Sequence, residues 1–291
     1  METVKDKWMK NIEIYLHHLR RYYALTGRFR IGGCWFPLWR RRVKSIAKKS
    51  LSKNVILLDN GILIPVDSAD KLTHRAWVRG MLAPDLEWAI HRYVKPGTIS
   101  VDIGANLGFL SVLMADKVGQ SGEVVVIEPN PDMQSKIEKI FQLNGFQNYR
   151  IFQCACSDKK GEFYFYIDEK DHSTSRISSD PTDLKVQLLP LDTILEGVDK
   201  PVSFIKIDVE GHEAEVMMGG QRTLRVHRPI MVFETGTHTS EQLRNINYIL
   251  TEMSYEVVGV LQEWGIERKT LSLQMTNRSH CNVLAIPKHH L

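Results

Sequence analysis

The chain has 291 residues, 43% of them apolar, which is enough for one sizeable core and leaves no sign of a second full domain or of internal repeats. Eleven Lys and Arg and no acid lie between Glu13 and Asp59, so the net +4 less these eleven leaves −7 for the rest of the chain. No run of eighteen apolar residues occurs, METVKDKWMK has no apolar signal core, and Cys34, Cys154, Cys156 and Cys281 form no C-x-x-C pair. These facts argue against a spanning helix, a secretory leader, a structural zinc and a disulfide framework, and the expectation is a cytoplasmic chain.

Residues 1–58 read as a basic, aromatic extension. Ile12, Tyr15, Leu16, Leu19, Tyr22 and Tyr23 recur at helical spacing, and FRIGGCWFPLWRRRVKSIAKK then alternates aromatics with arginines. Trp and Arg both favour the headgroup level of an anionic membrane, so peripheral contact with such a surface is one expectation, and a grip on a phosphorylated acceptor another. A third is that Trp35, Phe36 and Trp39 pack as a cover on the domain formed by residues 59–291. LLDNGILIPVDSAD predicts a strand pair turning at Asp59-Asn60-Gly61, and APDLEWAIHRYVKPGT a helix that stops before Pro96-Gly97.

Residues 101–130, VDIGANLGFLSVLMADKVGQSGEVVVIEPN, read as strand, glycine turn, helix and strand, half of a nucleotide-binding α/β unit. Ile99, Val101 and Ile103 supply the first strand, Gly104 and Gly108 let backbone approach a ligand, and Leu107 to Ala115 continue as an apolar helix. Val124 to Ile127 form a buried parallel strand ending at Glu128, whose carboxylate can accept both ribose hydroxyls. A dinucleotide turn needs G-x-G-x-x-G, whereas here Asp102, Gly104, Asn106 and Gly108 alternate and Phe109 stands where the third glycine would be. That spacing disfavours NAD and suits S-adenosylmethionine, which has no pyrophosphate to cradle.

RIFQCAC predicts a third strand, KKGEFYFYID an added one, and DHSTSRISSDPTD a polar loop in which Ser173, Ser175 and Arg176 could form an acceptor-side lid. FIKIDVEGHEAEV predicts a further buried strand ending in Lys206, Asp208, Glu210, His212 and Glu213 around Gly211. Ligands of open α/β sheets bind at the carboxyl ends of strands, so this cluster should face the crevice of the glycine turn. Two carboxylates and an imidazole can take a proton from a hydroxyl or bind a divalent cation. The plainer reading is that Asp208 and Glu213 cap the following helix and Lys206 pairs with one of them. There is no (Asn/Asp)-Pro-Pro-(Tyr/Phe) run, the usual device for exocyclic base amines, so oxygen is the preferred acceptor atom.

VDIGANLGF, IEPNP, CSDKKG, FIKIDVEGHE, MVFE and NVLAIP, in this order over residues 85–287, resemble the FkbM-type methyltransferases. The resemblance implies a class I, Rossmann-like, doubly wound α/β sheet with S-adenosylmethionine as cofactor, to which the helical spacing from Ile12 adds an N-terminal helical extension. It implies O-methylation of a glycan, a lipid-linked sugar or a secondary metabolite. By motif position, Asp102, Gly104, Ala105, Asn106, Gly108, Phe109, Glu128 and Asn130 belong to the cofactor, Ser157 and Asp158 to the adenine edge, and Asp208, Glu210 and His212 to the acceptor side. His212 or Asp208 would take the hydroxyl proton, and Glu210 would orient the acceptor or share a Mg²⁺. The alternatives are a nucleic-acid or protein methyltransferase using the basic arm, with nucleic acid disfavoured as a partner, and a catalytically silent nucleotide-binding protein.

Overall fold

A computed structural model describes residues 55–58, 60–65, 81–167, 176–178, 181, 184–236, 238–262, 265–267 and 281–288. The chain divides into two compact units, Met1–Leu82 and Ala83–Leu291. In the first, β1 (Val55–Leu57) and β2 (Leu63–Pro65) pair antiparallel, with Ile56 opposite Ile64. The Asn60 Oδ1 accepts from the Ile62 N–H at 3.1 Å, so the expected turn carries its own side-chain hydrogen bond. The expected helix from Ile12 and the aromatic–arginine stretch lie outside the described residues.

The second unit opens with α1 (Pro84–Tyr93), which has Pro in its first turn, Asp85 and Glu87 at its positive end, and His91 and Arg92 at its negative end. It delivers the chain to β3 (Ile99–Ile103), every residue of which is buried. Among the described residues, eight strands form the main sheet: β3, β4 (Glu123–Ile127), β5 (Tyr149–Phe152), β10 (Val202–Ile207), β11 (Ile230–Thr235), β12 (Tyr255–Gln262), β13 (Gly265–Glu267) and β14 (Cys281–Pro287). Their order is β13-β12-β14-β11-β10-β3-β4-β5. The five from β11 to β5 are mutually parallel, and β14 runs antiparallel to both β11 and β12. The winding reverses between β3 and β10, since β4 and β5 extend the sheet one way and β10 and β11 the other. Such a switch point opens a crevice at the strand ends.

Helices cover both faces. α2 (Phe109–Val118) reaches Asp102 from one face through Ser111. On the other, Ile99, Val101 and Ile103 share a core with Ile194, Val216, Leu224 and Ile246 from α4 (Leu191–Ile194), α5 (Glu213–Gly219), α6 (Gln221–His227) and α7 (Ser240–Glu252). α3 (Pro131–Leu143) connects β4 to β5 and is capped by the Asn130 Oδ1, which accepts from the Asp132 N–H at 3.0 Å.

Three expectations need correction. RIFQCAC is not one strand: β5 pairs with β4, but the chain then leaves the main sheet, and β6 (Ala155–Ser157) pairs with β9 (Lys185–Pro190) in a separate sheet. The expected lid loop contains a strand, β8 (Arg176–Ser178), paired antiparallel with β7 (Gly161–Tyr166), because Ile177 buries apolar surface against Phe165. Ser173 and Ser175 lie outside the described residues. The first helix runs Phe109–Val118 rather than from Leu107, because Gly108 is left-handed at its N-cap and keeps Leu107 in the turn.

Candidate active site

At the end of β3 the Gly104 and Ala105 N–H groups both donate to the Ile127 carbonyl, at 2.9 and 3.2 Å, which ties the turn to β4. Gly104 has φ +73, and a Cβ there would stand 1.8 Å from the Asp208 carbonyl oxygen, so the turn presses on the end of β10 where only hydrogen fits. Asn106, also left-handed at φ 51, donates its N–H to the Glu128 Oε2 at 2.7 Å, and the Asn130 N–H donates to Oε1 at 2.9 Å. Gly108 then caps α2, and Phe109 opens it. Glu128 is 7% exposed; burial raises its carboxyl pKa, and the hydrogen bonds from Asn130 and Asn106 oppose that rise. Asp102 is fully buried, its Oδ2 accepting from the Ser111 hydroxyl at 2.6 Å while Oδ1 lies 3.2 Å from the Lys206 Nζ.

Lys206 is the register partner of Asp102 on the neighbouring strand. Its Nζ donates to the Gly104 carbonyl at 2.8 Å and stands 3.4 Å from the Asp208 Oδ2. Burial pulls this ammonium down, but the charges of Asp102 and Asp208 and hydrogen bonds to both outweigh it, so its pKa is raised and it stays protonated. Beyond Asp208 the chain turns sharply, with Glu210 at φ 55 and Gly211 at φ 100. Glu213, fully buried at the start of α5, holds that turn: its Oε1 accepts from the Val209 and Gly211 N–H groups at 3.1 and 3.4 Å. Its Oε2 lies 2.5 Å from the His238 Nε2, and Gln242 Nε2 donates to the Gly211 carbonyl at 2.7 Å.

Asp208, Glu210 and Glu234, the last from the end of β11, each offer a carboxylate oxygen, and these oxygens lie within 4.8 Å of one another. Burial first, then the charge and hydrogen bond of Asp208, pushes the Glu234 carboxyl up to about 9. His212 stands elsewhere. Its Nε2 is 2.9 Å from the Ser157 Oγ, which also donates to the Asp158 Oδ1 at 3.1 Å, and its Nδ1 is 3.5 Å from Glu215. Burial lowers the His212 pKa, so the ring is neutral at pH 7. The expected residues therefore fall into three groups: Glu128 with Asn106 and Asn130; Asp102 joined through Lys206 to Gly104 and Asp208, and so to Glu210; and Ser157 with Asp158 and His212.

The first group suits S-adenosylmethionine. Each Glu128 oxygen holds one backbone N–H and keeps a lone pair for one hydroxyl of a vicinal diol. The Asn106 Oδ1 is buried without a hydrogen-bond partner, an acceptor that an ammonium would satisfy. The carboxylates of the second group, with Glu234, are the hard oxygen donors that Mg²⁺ takes. Sequence reasoning assigned no role to Glu234, although MVFE contains it; an acid closing the parallel strand next to β10 was the available signal. It also missed His238 and Gln242, whose contacts here are purely tertiary, and Glu213, expected in the crevice-facing cluster or as a helix cap, instead holds the turn from beneath.

The sequence of residues 102–257 matches the model of the methyltransferase FkbM domain. Among solved structures, the chain is similar to a methyltransferase FkbM from Methylobacillus flagellatus KT, at 17% identity and a TM-score of 0.45, over 83% of this chain and 59% of that one. It is also similar to a precorrin-6y C5,15-methyltransferase from Geobacter metallireducens GS-15, at 12% identity and TM-score 0.43 over 78% and 94% of the two chains. A third is Aeropyrum pernix fibrillarin with natively bound S-adenosyl-L-methionine, at 14% identity and TM-score 0.42 over 80% and 93%. No curated protein sequence matches the chain. With more than half of its length matched by the family model, the chain belongs to the FkbM methyltransferase domain family.

Proposed function

We propose that the chain is an S-adenosylmethionine-dependent O-methyltransferase acting on a hydroxyl of a glycan, a lipid-linked sugar or a secondary metabolite. The observation that carries this reading is the contact across the switch point, where Gly104 of the glycine turn meets Asp208 of the acidic cluster backbone to backbone. When bound, the cofactor supplies a methyl group already activated by its sulfonium. The chain's own residues then have to hold, align and exclude water. Glu128 accepts the ribose hydroxyls, the Gly104–Gly108 turn lets backbone approach the cofactor, and Ser157 and Asp158 border the adenine. Asp208, beside the Lys206 ammonium, takes the acceptor's proton as the oxygen–methyl bond forms, and Glu210 orients the hydroxyl. The Ser157 contact draws His212 toward the adenine edge, which leaves Asp208 as the better base.

Calorimetric titration with S-adenosylmethionine and with NADH tests the cofactor, and transfer of labelled methyl to pools of glycans, lipid-linked sugars and small polyols tests the acceptor. Binding of NADH alone, or of neither, overturns the reading. A second reading, favoured by the convergence of Asp208, Glu210 and Glu234, adds a Mg²⁺ between these carboxylates. A cation there displaces the Glu234 proton, so Mg²⁺ titrated into the protein near pH 7.5 should release protons, and an absence of both heat and proton release removes the metal.

A further inference from the structure

Lys206 is 4% exposed and touches both walls of the crevice: the Gly104 carbonyl at 2.8 Å, Asp102 at 3.2 Å and Asp208 at 3.4 Å. Long cationic side chains are almost never buried unless paired, and a buried ion pair costs desolvation that a well-packed apolar pair would avoid. A methionine would brace the strands without that cost, so the retained charge calls for a use. The reaction proposed above has one. Methyl transfer discharges the sulfonium, so every uncompensated negative charge nearby stabilises the cationic cofactor over its neutral thioether product and opposes transfer. Asp102 and Asp208 bring two negative charges to the wall between the cofactor turn and the acidic cluster, and Lys206 removes one of them.

We propose that Lys206 sets the charge of the crevice where cofactor and acceptor meet, and thereby limits the site's preference for the cationic cofactor over its demethylated product. This rests on the S-adenosylmethionine reading. A lysine that only braced the turn would, when replaced, weaken binding of cofactor and product equally. A charge-setting lysine changes their ratio.

The test measures the affinities of S-adenosylmethionine and S-adenosylhomocysteine by calorimetry at pH 8 in EDTA, so that no divalent cation replaces the missing charge. The proteins are wild type, Lys206→Met, Asp208→Asn and the double variant. Lys206→Met raises the ratio of cofactor to product affinity roughly tenfold, the size expected for one unit charge about 12 Å away at an effective dielectric near 20. Asp208→Asn lowers it by a similar factor, and the double variant returns to the wild-type ratio. A ratio constant within about twofold across the single variants overturns the inference, even if both affinities drop. Should Lys206→Met fail to fold, Lys206→Gln, a neutral side chain that can still donate to the Gly104 carbonyl, takes its place with the same expected rise in the ratio. If wild type binds neither ligand, the cofactor reading falls and takes the inference with it; if it binds both and the ratio does not move, only the inference falls.

Discussion

Glu128 and Glu234 are both carboxyls at the ends of parallel strands, and their surroundings give them different work. Glu128 holds two backbone N–H groups, which fix its plane and keep a lone pair on each oxygen. Two hydroxyl hydrogen bonds to a charged acceptor at about 1.5 kcal/mol each correspond to roughly 100-fold in affinity. Glu128→Ala should therefore weaken S-adenosylmethionine binding by about that factor in calorimetry, with Glu128→Gln falling between; an unchanged affinity would remove Glu128 from the cofactor site. Glu234 keeps its proton up to about 9, whereas an unfolded glutamate releases it near 4.5. The folded chain thus binds this proton more tightly than the unfolded one, and the stability it contributes is complete below about 4.5, is lost as the pH climbs through about 9, and is constant above. Glu128, also raised, acts in the same direction. Melting temperature should accordingly decline from pH 7 to pH 9, above the range in which the lowered pKa values of His91, His212 and His227 act the other way, and Glu234→Gln should flatten that slope; an identical slope in the variant would show that Glu234 ionises normally.

Two turns carry the elements that matter, and each has its own weak point. Gly104→Ala puts a Cβ 1.8 Å from the backbone oxygen of Asp208 in a left-handed conformation, so either β3 or β10 must move. Gly119→Ala has a similar φ of +67 and open space around it. Urea denaturation should show Gly119→Ala costing about 2 kcal/mol, the backbone penalty alone of a φ 67, ψ −179 conformation that glycine adopts readily, and Gly104→Ala more, with loss of cofactor binding. Equal costs would mean that the close approach of the two strands is relieved without strain. The second turn, Val209–Gly211, is held from α7: the Gln242 side chain accepts from the Thr239 N–H at 2.8 Å and donates to the Gly211 carbonyl. Thr239 completes the capping box by accepting from the Gln242 N–H at 3.2 Å. Thr239→Ala should cost about 1 kcal/mol of stability. Gln242→Ala should lower methyl-transfer turnover while leaving cofactor affinity unchanged, because the Gly211 carbonyl loses the side-chain donor that holds the turn.

At the scale of the whole molecule, the acidic balance of the sheet domain contrasts with eleven basic residues between Glu13 and Asp59. Among the described residues no helix is long and apolar enough to cross a membrane. We propose that the basic, aromatic segment contacts anionic lipid and brings the chain to a lipid-linked acceptor. Vesicles containing anionic phospholipid should then float the full chain at low salt, and replacing Arg40, Arg41 and Arg42 by Glu should release it. Failure to float would return the segment to the role of a cover.

Much of this architecture was readable in one dimension. Alternation of apolar and glycine residues from Ile99 to Gly108, with an acid closing the next apolar run at Glu128, specified strand, turn, helix and strand, because parallel strands buried on both faces are apolar throughout and a tight turn onto a ligand admits little but glycine. The same local logic marked FIKIDVEGHE as a strand ending in chemistry. What only the tertiary structure decided are contacts between residues far apart in sequence. Lys206 reaches Asp102 and Gly104 because β10 lies beside β3, Glu234 joins Asp208 because β11 lies beside β10, and His212 turns to Ser157 because β6 leaves the main sheet. Residue type and spacing determine which strand a side chain ends; strand order, set by how the whole core packs, determines which side chains meet there.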